Sequence, residues 1–241
     1  SKLSSRSVPL GITAMLPNSL GPAELLQHYG TVDQKAKWLP RLAEGKEVPC
    51  FALTEPEAGS DASSISSRGV VFRGEDGEPC IRLDWDKRYT TMALRATVIG
   101  LAFQLEDPDR LLGKGAAPGI TVALVPADLP GVERGLQHDP LNVPFFNSPF
   151  QGHGVEVPVD SIIGGLEGVG KGWKMLMECL ASGRGIMLPA QGTAGVKSMA
   201  RVASAYSFIR RQFGQPIGKF EGVREPLARL AGASYIFEAA R

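Results

Sequence analysis

The chain has 241 residues, with 26 basic and 25 acidic side chains and a formal net charge of +1. This balance argues against a nucleic-acid-binding footprint and against a basic membrane anchor. Hydrophobic residues make up 43% and charged residues 21% of the chain, which is typical of globular proteins and not of disordered ones. Every apolar stretch is much shorter than the ~20 residues of a membrane-spanning helix.

Cysteines and histidines are few and scattered. Cys50, Cys80 and Cys179 are odd in number and lack CxxC spacing, which favours reduced thiols and a cytoplasmic setting. The three histidines lie far apart along the chain, so the sequence predicts no metal site.

Residues 1–50 are predicted to be helical. Thr31 is a candidate N-cap, and the apolar residues that follow it at helical spacing indicate an amphipathic helix. Gly45 is expected to end that helix. An earlier apolar segment, residues 20–26, precedes a turn at residues 29–30.

Residues 51–160 are predicted to be β-structure. Short runs rich in β-branched residues are bounded by Gly, Pro and Asp. These runs are residues 69–73, 80–85, 96–103, 120–125 and 154–157. Because no helical pattern separates them, we expect a mostly antiparallel sandwich or small barrel.

Residues 161–241 return to helical spacing, with an apolar stripe that begins at Trp173. An interruption is predicted at residues 183–185, where two glycines flank Arg184. Helix, then sheet, then helix indicates an α+β fold in which the sheet is a central insert.

The run Phe51–Asp61 is the segment with the strongest chemical signal. Thr54 supplies a hydroxyl beside apolar residues, and Gly59, Ser60 and Asp61 could bring backbone N–H groups close to an anion. The residues alone equally allow a plain turn ahead of a strand.

A second glycine-rich run, Gly165–Gly172, nearly matches a phosphate-binding loop. Gly172 stands where that motif needs a hydroxyl to ligate Mg²⁺. The run also follows a strand in a predicted antiparallel context, so we reject a nucleotide-hydrolysing function.

The sequence from Leu53 to Asp61 resembles the flavin-binding signature of the acyl-CoA dehydrogenases. Asp86–Thr91 falls where that family has a further flavin contact, and Arg210–Ile217 resembles its Arg-x-Gln-Phe-Gly motif. The resemblance runs in order through nearly the whole chain, and is strongest to the bacterial FadE-type members of fatty-acid β-oxidation.

The resemblance implies an acyl-CoA dehydrogenase-like α+β fold in three parts. Residues 1–50 would end an N-terminal helical domain, residues 51–160 would form a central antiparallel β domain, and residues 161–241 would begin a C-terminal helical bundle. We therefore expect the chain to be an internal fragment of a longer protein.

The implied activity is FAD-dependent α,β-dehydrogenation of acyl-CoA thioesters, of medium to long chain, to trans-2-enoyl-CoA. An electron-accepting flavoprotein would be the partner, and the enzyme would be cytoplasmic or peripheral at the inner membrane. Two alternatives remain: an acyl-CoA oxidase that passes electrons to oxygen, and a non-catalytic flavin-fold protein that binds nucleic acid or a partner. The net charge of +1 supplies no basic groove for nucleic acid.

The resemblance also assigns site residues. Thr54 would bond the pyrimidine end of the flavin, Thr91 would lie at N5, and Tyr89 would pack on the ring where most of the family has Trp. The other implied FAD contacts are Phe51, Leu53, Ser60 and Thr90 and, across a homo-oligomer interface, Arg210, Gln212 and Phe213. Acyl-CoA contacts are assigned to Ser60, Ala181 and Arg184, although Arg184 could equally form a helix-packing ion pair.

The reaction requires a carboxylate that removes the α-proton. One family position for this base, just before the matching Arg, is occupied here by Gly183, which cannot take a proton. The resemblance therefore implies a Glu beyond Arg241. Glu167 and Glu178 match no family base position and are expected to be solvated.

Overall fold

The computed structural model describes residues 2–19, 21–140 and 146–240, and for residues 13, 15–19 and 180–184 it describes the backbone only. The chain forms two compact units. One unit comprises residues 16–182, and the other comprises residues 1–15 and 183–241.

Three helices come first: α1 (Val8–Ser19), α2 (Pro22–Tyr29) and α3 (Val32–Ala43). Thr31 is the N-cap of α3, as predicted, and forms a reciprocal capping box with Gln34, with both bonds at 3.1 Å. The Gln34 amide also donates to the carbonyls of Asp160 and Ile162, at 2.8 and 2.7 Å. These bonds fasten the start of α3 to the segment that leaves the sheet.

Seven strands form one sheet: β1 (Pro49–Ala52), β2 (Arg68–Arg73), β3 (Pro79–Thr91), β4 (Val98–Glu106), β5 (Gly119–Pro126), β6 (Val132–Arg134) and β7 (Asn147–Pro158). The pairs β2–β3, β3–β7, β4–β5 and β6–β7 are antiparallel. The predicted α+β class is confirmed. The sheet is mixed, however, because β1 and β2 both pair in parallel with β4. A long connection separates each of these two strands from β4 along the chain.

Side chains along β3 alternate between the core and solvent. Ile81, Leu83, Trp85 and Lys87 are all buried, and the residues between them are exposed. A second apolar cluster packs α2 against β4 and β5 and against the first turns of the helix that follows the sheet. Ile81, Leu83 and Trp85 belong to a separate and larger apolar core of the sheet.

The remaining elements are α4 (Gly172–Ile209), a hairpin of β8 (Arg211–Gln212) and β9 (Gln215–Pro216), and α5 (Glu221–Ala240). The predicted interruption at residues 183–185 is wrong, because α4 continues through it. A glycine inside a helix costs only ~1 kcal/mol relative to alanine, and the long helix accommodates that cost.

Candidate functional site

The two segments predicted to contact the flavin meet in the structure. We call residues 53–61 the signature loop and residues 87–92 the bulge. The backbone N–H of Arg88 donates to the Thr54 carbonyl at 3.0 Å. The Lys87 ammonium donates to the Leu53 carbonyl, also at 3.0 Å. The chain thus brings Thr54 beside the residues around Tyr89 and Thr91.

A buried ion pair lies under this junction. The side chains of Lys87 and Glu55 are 0% and 3% exposed, and Nζ lies 2.7 Å from Oε1. Glu55 also accepts from the backbone N–H and hydroxyl groups of Ser66 and Ser67, at distances from 2.5 to 3.0 Å. Every oxygen of this carboxylate is therefore bonded, as a buried charge requires.

The environment keeps both members of the pair charged at neutral pH. Burial by itself would raise the pKa of Glu55, but the hydrogen bonds from Lys87, Ser67 and Ser66 lower that pKa to about 2. Burial lowers the pKa of Lys87 to about 8, against the opposing effect of Glu55. The interior therefore holds a neutralised pair of charges.

The bulge departs from regular strand geometry. The register of β3 against β7 shifts between Lys87 and Thr90. Tyr89 and Met92 have φ values of 58° and 67°, a left-handed conformation that is uncommon for residues other than glycine. Such outliers often mark ligand-binding segments. As a result, Lys87 and Thr90 are both buried while Tyr89 between them is 57% exposed.

The Tyr89 ring has two described neighbours. The Arg88 guanidinium carbon lies 4.7 Å from the ring centroid, and the His138 ring centroid lies 5.1 Å away. His138 is fixed in turn, because its Nδ1 lies 2.8 Å from Oδ1 of Asn147. A flavin that packs on Tyr89 would therefore share the ring with these residues.

Several polar groups around the junction are available to a ligand. Thr54 and Thr91 are half-buried and Ser60 is exposed, and their hydroxyls bond to none of the residues described. The Thr54 N–H also lacks a backbone partner in the described part of the chain. Hydroxyl and amide donors beside an exposed aromatic ring fit the polar edge and flat face of an isoalloxazine, so the donor set is compatible with FAD.

Other implied contacts contribute differently. The Phe51 side chain is 8% exposed and packs in the second apolar cluster, so little of it is left to contact a ligand. Thr90 points inward, opposite Ser148 on β7, and neither hydroxyl finds a partner among the described residues. The Leu53 carbonyl is already bonded by Lys87.

Arg210, Gln212 and Phe213 lie in the other compact unit, at the β8–β9 hairpin. All three are exposed, and Phe213 is 93% exposed with a φ of 52°. Their contact with a second subunit stays a prediction. The side chains of Ala181 and Arg184, predicted to contact the substrate, lie outside the described residues.

Glu167 and Glu178, the two carboxylates considered as bases in the sequence, do not have the environment of a general base. The Tyr29 hydroxyl donates to Glu178, whose side chain is 53% exposed and 3.9 Å from Lys174. Lys114 and Lys171 lower the pKa of the exposed Glu167. A base needs a pKa raised toward neutrality. Gly183 lies within α4.

The buried pair of Lys87 and Glu55 is not among the residues predicted from the sequence. One signal was present: Lys87 falls at an inward position of β3, two residues after Trp85, which continues the alternation of Ile81 and Leu83. A lysine at such a position needs a buried anionic partner. Glu55 lies inside the signature loop, between Thr54 and the segment from Gly59 to Asp61 that carried the predicted contacts.

The glycine-rich run 165–172 has no nucleotide-binding geometry. Residues 165–168 form a 3₁₀ turn, and Lys171 lies 3.6 Å from Glu167. The strand before it, β7, is antiparallel to its neighbours. The parallel strand–loop–helix unit that a phosphate loop requires is therefore not formed here.

Among the described residues, no helix combines the length and the hydrophobicity that a membrane span requires. No three of their His, Cys, Asp or Glu side chains cluster in a way that could hold a metal ion.

Comparison with known proteins gives matches along the chain. Models of the N-terminal, middle and C-terminal domains of acyl-CoA dehydrogenase match residues 1–46, 50–148 and 170–240. The probable acyl-CoA dehydrogenase FadE10 of Mycobacterium tuberculosis is 30% identical over an alignment of 240 positions, which covers 95% of this chain and 34% of that protein. The chain thus spans about a third of that relative's length.

A protein of Proteus mirabilis named Protein HemX is 55% identical over 104 residues, 43% of this chain and 61% of its own length. Among solved structures, an acyl-CoA dehydrogenase from Bacillus anthracis complexed with FAD has a TM-score of 0.74 at 25% identity, over 90% of this chain and 34% of that one. The HemX match covers less than half of this chain, whereas the three domain models follow one another in the order of a single family. The chain belongs to the acyl-CoA dehydrogenase family.

Proposed function

We propose that the protein catalyses the FAD-dependent α,β-dehydrogenation of acyl-CoA thioesters to trans-2-enoyl-CoA. The observation that carries this proposal is the junction of the signature loop with the bulge. Two bonds of 3.0 Å, from Arg88 and Lys87, place Thr54 next to the left-handed turn at Tyr89. Family membership supplies the reaction class.

Within this proposal, the residues at the junction bind and orient the cofactor. The hydroxyl and N–H of Thr54 donate to the pyrimidine end of the ring system, and Thr91 donates near N5. Tyr89 covers part of the ring and excludes water from it. FAD, when bound, supplies the acceptor for the β-hydride, and protein hydrogen bonds tune its affinity for electrons.

The finer assignments are also proposals. Ser60, Ala181 and Arg184 contact the acyl-CoA, which has a medium or long chain. Arg210, Gln212 and Phe213 reach the FAD of a second subunit in a homo-oligomer. An electron-accepting flavoprotein takes the electrons onward. We propose three domains: an N-terminal helical domain that ends with residues 1–50, a central β domain of residues 51–160, and a C-terminal helical domain that begins with residues 161–241.

An anaerobic titration of the FAD-loaded protein with acyl-CoA thioesters of increasing length tests the proposal. We expect the flavin absorbance to bleach, and to bleach fastest with medium or long chains. Peroxide formed in stoichiometric yield on admission of oxygen would instead indicate the oxidase. A chain that binds FAD but is not bleached by any thioester would be a non-catalytic binding protein, or a chain without the base that the resemblance places beyond Arg241.

A further inference from the structure

We infer that the Lys87–Glu55 pair is a positioning element of the flavin site: it fixes the signature loop against the bulge and so sets where the donors of Thr54 stand. This inference rests on the proposed FAD site. In this inference neither side chain contacts the cofactor, and neither is a catalytic residue.

The bonds address three consecutive residues of the loop. Lys87 bonds the Leu53 carbonyl and the Glu55 carboxylate, and Arg88 bonds the Thr54 carbonyl between them. Thr54 is therefore held on both sides by two adjacent residues of β3. The Thr54 N–H and hydroxyl have no partner among the described residues. Lys87 and Arg88 therefore bond the carbonyl groups of Leu53 and Thr54 and leave these two donors of Thr54 available to a ligand.

The far side of the pair fixes the end of the loop. Glu55 receives four hydrogen bonds from Ser66 and Ser67, which come just before β2. Glu55 and Ala58 also exchange backbone bonds at 3.1 and 3.3 Å. The turn before Gly59 and Ser60 is thus closed at Glu55, the residue whose carboxylate is bonded by Ser66 and Ser67.

Stability alone does not account for this arrangement. Replacing a buried ion pair with apolar residues of similar volume is often neutral or stabilising, because desolvation of the two charges offsets their attraction. An apolar pair would fill the same space but could not bond the Leu53 carbonyl or the two serines. The distinctive contribution of the charged pair is therefore directional placement of the loop.

The test is the double variant Glu55→Met/Lys87→Met, which removes both charges together. We expect its denaturant midpoint to fall less than that of Lys87→Met, because no unpaired charge is left behind, although Ser66 and Ser67 lose their acceptor. Its dissociation constant for FAD should rise at least about tenfold, and the midpoint potential of the bound flavin should shift. The matched control is Arg82→Gln/Glu156→Gln, which removes an exposed pair between β3 and β7 and should change neither flavin property.

A folded double variant with unchanged FAD affinity and potential would overturn the inference while leaving the proposed function intact. If the unmodified protein binds no FAD, the proposed function itself fails. Should the double variant not fold, Ser66→Ala/Ser67→Ala removes the hydroxyl ties and keeps both charges. We expect it to weaken FAD binding about two- to fivefold, and unchanged affinity in this variant would likewise overturn the inference.

Discussion

Two regions of the chain are predicted to contact FAD, and the chain holds them in different ways. The signature loop and the bulge are joined by one backbone hydrogen bond, from Arg88 to Thr54, and by a buried ion pair. The hairpin at residues 210–216 consists of two strands of two residues each that pair with one another, and its Phe213 is 93% exposed. The first region is preorganised by its own unit, whereas the side chains of the second have little packing to fix them. We therefore expect stability and cofactor binding to respond together in the first region and separately in the second.

The largest effect is expected from breaking the buried pair on one side. Lys87→Met leaves the Glu55 carboxylate buried without its cation, so the free energy of unfolding should fall by about 3–5 kcal/mol. Arg82→Met is the matched control on the same strand, because its partner Glu156 is 52% exposed. That change should cost less than ~1 kcal/mol. Denaturant unfolding measures both changes. Equal losses of unfolding free energy in the two variants would show that the buried pair contributes no more to stability than the exposed one.

Acidification should weaken the same region. The pKa of Glu55 lies at about 2 in the folded protein against an ordinary value of 4.5, so the unfolded chain takes up a proton first. The stabilisation is complete above pH 4.5 and is lost as the pH falls from 4.5 toward 2. Unfolding free energies at a series of pH values should fall more steeply for the unmodified protein than for Glu55→Gln. Identical slopes would contradict the assigned pKa.

The contrast also explains what the sequence could predict. Each of the five predicted β runs overlaps a strand of the sheet, and Thr31 caps α3, because alternation and capping are local signals. The parallel pairing of β1 and β2 with β4 joins segments that are far apart in the chain, so no local sequence pattern predicts it. The glycines at residues 183 and 185 predicted a break that the rest of α4 overrides.

The site divides in the same way. The resemblance identified Thr54, Tyr89 and Thr91, and the structure bonds the Thr54 carbonyl to the N–H of Arg88, next to Tyr89. It did not identify Lys87 and Glu55, because their pairing spans more than thirty residues and becomes visible only when the end of β3 lies beside the loop. Inward position on a strand was the one signal that sequence offered.

A smaller effect is expected from Thr54→Val, which preserves shape and removes one donor. Loss of one hydrogen bond should cost about 1 kcal/mol, so the dissociation constant for FAD should rise about fivefold. Fluorescence titration of FAD measures it. Thr97→Val is a suitable control, since the Thr97 hydroxyl donates to Glu47 and has no part in the proposed site. Equal FAD affinity in the two variants would remove Thr54 from the site.

The hairpin offers the opposite response. Phe213 is 93% exposed, so Phe213→Ser should change the free energy of unfolding by less than ~0.5 kcal/mol. If the hairpin contacts the FAD of a second subunit, FAD retention should nevertheless fall. Gel filtration with flavin absorbance reports assembly and cofactor content together. Full FAD occupancy in the variant, or in a monomeric protein, would contradict the contact between subunits.

The smallest effect is expected at Glu178, the carboxylate nearest in sequence to Gly183 that the structure describes in full. Its side chain is 53% exposed, accepts a hydrogen bond from Tyr29 and lies 3.9 Å from Lys174. A general base is tuned by burial, which this exposed side chain lacks. Glu178→Gln should therefore leave the rate of acyl-CoA-dependent flavin reduction within about twofold of the unmodified protein. Loss of general base catalysis slows a reaction by about 10²–10⁴-fold, so stopped-flow measurement of anaerobic bleaching separates the two outcomes clearly. A loss of that size would make Glu178 the base and would assign to α4 a catalytic role that its exposed side chain argues against.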